Sequence, residues 1–256
     1  MARLILFCIT LCCNITLANA QRDSNYINFN KAYFKSIVLD VRDVALFPKY
    51  MNKKDALVAT GGVLLASSAF VADKKWAAIM QNNQHKNITL ASKYVFEPFG
   101  SALYSIPLLV GFYTHGALAN NIHTNRVAML GIKAFAISGL VAQLPKYITQ
   151  RERPYTTLPS YNPFLFHVFG STKNHSFYSG HTTTAFAIAT IIAQEYKHKP
   201  WIAVLSYTMA TGVALSRNYD NKHWLSDVAF GALTGYGISR LIYRQQNHKR
   251  GTKKTN

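Results

Sequence analysis

The sequence predicts an all-α fold, a core bundle of six apolar helices, on three observations. Segments 56–72, 99–119, 127–144, 182–194, 200–215 and 225–242 are apolar runs of helical rather than strand length. Their Ala, Leu and Gly content suits helices better than strands. No internal repeat and no Pro/Ser-rich linker divides the 256 residues, enough for one domain that buries its own core.

Residues 1–20 carry Arg3, an apolar run from Leu4 to Leu17 and Ala18-Asn19-Ala20 before polar Gln21, the layout of a secretory signal peptide. An uncleaved anchor is the other reading, though the run is short for a span of ~20 residues. Cys8, Cys12 and Cys13 all lie there, so the chain beyond them has no internal disulfide and no thiolate chemistry. Residues 21–55 place Phe34, Ile37, Val38, Val41, Val44 and Ala45 at helical spacing, an amphipathic segment suited to a membrane surface or to the domain itself. Residues 56–243 form the helical domain, interrupted from Tyr155 to Asn174 by a long loop rich in Pro, Gly, Asn, Ser and Phe. Residues 244–256 form a basic tail.

The net charge of +18 favours anionic partners, either nucleic acid or phosphorylated lipids and membrane surfaces. A secretory signal argues against nucleic acid. Most of the apolar segments are shorter than ~20 clean residues, and Lys133, Gln143, Asp227 and Arg240 are costly at a bilayer centre, so a membrane bundle and a soluble helical domain both fit. The positive-inside rule places Lys197, Lys199 and the tail in the cytoplasm and the polar motifs described next on the opposite side. It also places residues 49–55 inside, in conflict with a cleaved signal unless segment 56–72, ~25 Å long as a helix, does not span.

Three polar motifs lie at the ends of apolar segments. Lys146 and Arg153 are seven apart, so one helical face reaching Pro154 would offer both cations to an anion; cations at a helix C-terminus also complement its dipole or snorkel. Ser179-Gly180-His181 opens the next segment, where free amides and the helix dipole favour a phosphate and histidine could donate a proton; a plain Ser N-cap reads equally well. Arg217 precedes His223 and Asp227, four apart. The carboxylate could hold one imidazole nitrogen and leave the other to attack, although a surface ion pair has the same spacing. Zinc on His181 and His223 is opposed by Lys146, Arg153 and Arg217, so no metal is expected.

K-x6-R-P, S-G-H and S-R-x5-H-x3-D, in this order, resemble the three-part signature of the type 2 phosphatidic acid phosphatase superfamily, which includes bacterial acid phosphatases and vanadium haloperoxidases. The resemblance spans roughly residues 95–242. It implies a helical bundle of that kind and a phosphohistidine route; the apolar segments favour membrane association of the bundle. By it His223 attacks phosphorus, Asp227 orients His223, and His181 protonates the leaving group. Lys146, Arg153, Ser179, Gly180 and Arg217 hold the phosphoryl oxygens. No cofactor is implied, although vanadate could occupy the phosphate site. Tyr178 stands where the signature usually has proline. The expected activity is hydrolysis of a phosphomonoester or diphosphate on a lipid of the phosphatidate, polyprenyl diphosphate or lipid A type, in the bacterial cell envelope with the site facing the periplasm. A soluble acid phosphatase and a haloperoxidase are the alternatives, and a binding protein with a vestigial motif is the non-enzymatic one.

Overall fold

The computed structural model describes residues 26–170 and 175–253; the signal segment and the three cysteines lie outside the described residues. The described residues form helices and loops, with no strand among them. Helix α1 is Lys31–Tyr50, and α2 is Lys53–Asn82. Helix α3, Lys86–Ala91, continues through a π-helical turn at Ser92–Phe96 into α4, Glu97–Gly100. After a 58° bend the chain enters α5, Ala102–Leu118. Helices α6, Ile122–Val141, and α7, Gln143–Thr149, lead to the long loop, followed by α8, Gly180–Glu195, α9, Pro200–Tyr219, and α10, Leu225–Lys253.

Helix α8 is the axis of the bundle. Its Ala187 and Ile191 pack with Leu130, Ala134 and Ile137 of α6 and with Ile238 and Ile242 of α10. Its Ala185 and Ala189 pack on Ala210 and Val213 of α9. The close crossing of α8 and α10 depends on Gly235, because a Cβ there would collide with the Thr183 carbonyl.

Three boundaries differ from the sequence reading. Segment 56–72 belongs to the 30-residue α2, about 45 Å long at 1.5 Å per residue. Asp73 does not end that helix, because it turns into the bundle and is fully buried, whereas neighbouring Val71 is 90% exposed. The basic stretch from Arg244 to Lys253 continues α10 as a helix. Residues 127–144 divide between α6 and α7.

Helix α2 and the run Ile122–Thr156 are long and apolar enough to cross a membrane, and the bent pair Lys86–Gly100 with Ala102–Leu118 passes the same test together. On α2, Leu57, Leu64, Leu65 and Val71 point away from the protein, an apolar exterior unsuited to water.

Lys133 loses its apparent cost in an apolar helix because α1 supplies its partners. Its ammonium meets Asp40 at 2.9 Å and Ser36 Oγ at 2.6 Å, while Tyr33 donates to the Met129 carbonyl at 2.8 Å. The Asp40→Asn variant leaves that ammonium without its counter-charge and is expected to lose about 3–5 kcal/mol of stability. Thermal unfolding in detergent checks this; a melting temperature equal to that of the unmodified protein would contradict it.

Candidate active site

The three motifs meet at one end of the bundle. Helix α7 stops at Gln150, whose φ of 40° closes it in the left-handed conformation. Lys146 therefore lies on a helix and Arg153 beyond it, so the two cations do not share a helical face as the spacing suggested. Pro154 restricts Arg153 to extended backbone, observed at φ −87° and ψ 154°. Between them Arg151 turns inward and is completely buried.

Ser179 caps α8. Its Oγ accepts from Thr182 N at 3.4 Å and Thr182 Oγ1 at 3.0 Å, which leaves its own hydroxyl proton available. Gly180 follows, and Lys146 Nζ lies 3.1 Å from where a Cβ would stand, so the ammonium rests over the backbone that opens the helix. Tyr178, in the usual proline position, is buried and meets Phe177 edge to face, so packing holds this turn.

His223 lies in the turn before α10 rather than on the same helical turn as Asp227. Its Nδ1 is 2.8 Å from the Ser176 carbonyl and 3.6 Å from Asp227 Oδ2. A carbonyl only accepts, so Nδ1 carries the proton and Nε2 keeps its lone pair. Asp227 is within electrostatic reach of the ring, but its bonds go elsewhere: to Arg151 Nη1 at 2.5 Å, Ser176 Oγ at 2.5 Å and Trp224 N at 2.9 Å.

The electrostatics favour a neutral nucleophile. Burial pushes the His223 pKa down to about 4; Asp227 opposes this, and Arg153 and Arg217 add to it. His181 is pushed down to about 3, first by burial, then by Arg217, His223, Lys146 and Arg153. Burial alone would raise the Asp227 carboxyl, but Arg151, His223 and Ser176 together hold it below its ordinary value.

Arg153 and Arg217 thus act on both histidines, and Lys146, from a third element, acts on His181. Arg217 is buried and its Nε has no partner among the described residues, while Nη1 lies 3.0 Å from Glu97 Oε1 without the alignment of a hydrogen bond. Such a cluster can hold a multiply charged anion between a free imidazole nitrogen and a helix N-terminus. No group of three or more His, Cys, Asp or Glu suited to a metal occurs among the described residues.

Every predicted site residue therefore sits at this end: Lys146, Arg153, Ser179, Gly180, His181, Arg217, His223 and Asp227. Sequence reasoning missed Arg151 and Asp73. A carboxylate inside the apolar run of α2 was the available signal for Asp73; Arg151 offered none beyond standing two residues before Arg153.

The family model described as the PAP2 superfamily matches residues 128–250. No curated protein sequence matches the chain. Among solved structures, LpxE of Aquifex aeolicus superposes with a TM-score of 0.53 at 22% identity, over 66% of this chain and 93% of that one. A transmembrane PAP2-type phosphatidylglycerolphosphate phosphatase from Bacillus subtilis superposes with a TM-score of 0.51 at 18% identity, over 85% of this chain and 95% of that one. The matched residues contain all three motifs, and those motifs close on one another at one end of an all-helical bundle: over residues 128–250 the chain is similar to the PAP2 superfamily.

Proposed function

We propose that the protein is a membrane phosphatase that hydrolyses a phosphomonoester or diphosphate on a lipid through a phosphohistidine intermediate. The observation that carries this reading is the convergence of Arg153 and Arg217, with the partnerless Nε of Arg217, on a His223 whose ring is buried, neutral and fixed in one tautomer, while Lys146 joins them at the neighbouring His181.

In the first step His223 Nε2 attacks phosphorus. The N–P bond forms as the P–O bond to the leaving group breaks, the alcohol of a monoester or the inner phosphate of a diphosphate, and His181 passes a proton to the departing oxygen. In the second step His181 takes a proton from water, whose oxygen attacks phosphorus, and the N–P bond breaks to release inorganic phosphate. The three cations, with the Ser179 hydroxyl and the Gly180 amide, balance charge on the equatorial oxygens, where fixed donors are most effective.

The lipid assignment is supported by the apolar exterior of α2 and by the loop beside the site. There Phe164, Val168 and Phe169 are exposed, while Phe164 also stacks on Phe70 of α2. Phe166 of the same loop packs instead on the Arg151 guanidinium, so it serves the interior. We also propose that the site faces the periplasm, because the basic end of α10 favours the cytoplasm.

The test is phosphate release in chelator-treated buffer from phosphatidate, a polyprenyl diphosphate, a lipid A 1-phosphate and soluble esters, alongside carbonate washing of membranes. Turnover of a lipid phosphate by protein retained in the membrane is expected. Release into the wash with activity on soluble esters alone would replace this reading by a soluble acid phosphatase, and no turnover of any substrate would refute it.

A further inference from the structure

Behind the site lies a buried charged network, part of which comes from α2, outside the matched residues 128–250. Asp73, Arg151 and Asp227 are each fully buried. Arg151 Nη2 donates to Asp73 Oδ2 at 2.7 Å, and Nη1 donates to Asp227 Oδ1 at 2.5 Å and to Ser226 Oγ at 2.7 Å. Its Nε donates to the Pro163 carbonyl at 2.9 Å. Phe70, Phe166 and Trp224 stack about the guanidinium at 4.8–5.4 Å. The planar fork therefore ties α2, the long loop and the start of α10 together, a geometry that lysine does not reproduce.

Asp73 also caps α10 from outside. Its Oδ1 accepts from Ser226 N at 2.8 Å and its Oδ2 from Ser226 Oγ at 2.6 Å, which places a carboxylate at the positive end of that helix. One turn further along α2, Trp76 Nε1 donates to Asn218 Oδ1 at 3.1 Å, and Asn218 Nδ2 in turn donates to the His223 carbonyl at 2.9 Å. The turn that carries His223 is thus gripped from both sides by one face of α2.

We propose that Asp73 and Arg151 are positioning residues: they fix Asp227 and the first turn of α10, and through them hold His223 with Nε2 aimed at phosphorus. This rests on the phosphatase reading above. Neither residue touches the substrate. Both act by removing freedom from the nucleophile, where a displacement of about 1 Å costs on the order of 10²-fold in rate.

The test compares Arg151→Lys and Asp73→Asn with the unmodified protein, with His223→Ala, and with Asp40→Asn as a buried ion pair remote from the site. Two readouts are used: kcat and KM on a phosphate ester, and binding of orthovanadate against inorganic phosphate. Vanadate gains affinity by bonding to the nucleophilic nitrogen, whereas phosphate is held by the cations, the Ser179 hydroxyl and the Gly180 amide without such a bond. Both positioning variants are expected to lose about 10²-fold in kcat with KM within about threefold, and to lose vanadate affinity while keeping phosphate affinity. Asp40→Asn is expected to melt earlier with kcat and the vanadate preference intact.

The proposal is overturned if Asp73→Asn, which keeps a hydrogen-bonding group in place, retains kcat and vanadate affinity. It is equally overturned if phosphate and vanadate binding fall together. Absence of both anion binding and turnover in the unmodified protein would instead sink the phosphatase reading, and this inference with it.

Discussion

Phosphate release by the His223→Ala variant is expected to fall by on the order of 10⁴-fold or more, to the level left by binding and charge alone. The reason is that no other group replaces it. Among the described residues His181 is the other histidine that acts on His223, and its place at the start of α8 beside the cations suits proton transfer rather than attack. A covalent intermediate also predicts that labelled phosphate can be trapped on the unmodified protein by a denaturing alkaline quench, that the label is lost on acid treatment, and that none is trapped on the variant. Retained hydrolysis in His223→Ala would remove the nucleophile assignment and leave direct attack by water.

The His181→Ala variant is expected to separate substrates by their leaving groups. On an alkyl or lipid phosphate the loss is about 10²–10⁴-fold, the range of a missing general acid. On a nitrophenyl phosphate, whose phenolate departs without a proton, the loss should be at least tenfold smaller. The pH dependence follows from the His181 pKa, pushed down to about 3 by burial and by the neighbouring cations. At neutral pH the ring is unprotonated and cannot donate. A bound phosphoryl dianion offsets Arg217, Lys146 and Arg153, so binding raises the pKa and the productive complex holds one proton more than neutral enzyme plus dianion. That proton comes from solvent or from a monoanionic substrate, whose second ionisation is near 6. Consequently kcat/KM should fall about tenfold per pH unit above roughly 6–7, and a profile flat to alkaline pH would contradict the role given to His181.

Much of the site was legible because its residues are chemically out of place. Cations and histidines at the ends of apolar runs are costly without a purpose, and the Ser179 cap and the break imposed by Pro154 follow from local rules. Less legible was whatever depends on distant packing. Lys146 and Arg153 at helical spacing suggested a shared face, yet burial of Arg151 between Asp73 and Asp227 pulls the chain out of the helix at Gln150. Asp227 four residues after His223 suggested a direct hydrogen bond, yet the Ser176 carbonyl takes that place because Arg151 and Trp224 N claim the carboxylate. Lys133 read as an obstacle to an apolar environment until α1 brought Asp40 against it. In each case the deciding partner lies tens of residues away, where no periodicity signals it.

The two faces of α2 are subject to different constraints. Positions 57, 64, 65 and 71 are two-thirds or more exposed, so a change from one apolar residue to another there disturbs little of the protein. Phe70, Asp73 and Trp76 are held to their identities by the arginine, the helix end and the amide they serve. The helix thus keeps its specific contacts on one face, where Ala66 and Ala77 are also buried. Over long divergence such an element becomes hard to see by sequence similarity while its mechanical duty persists, so lineages of this fold are best traced through α2 by asking whether an acid still faces the buried arginine.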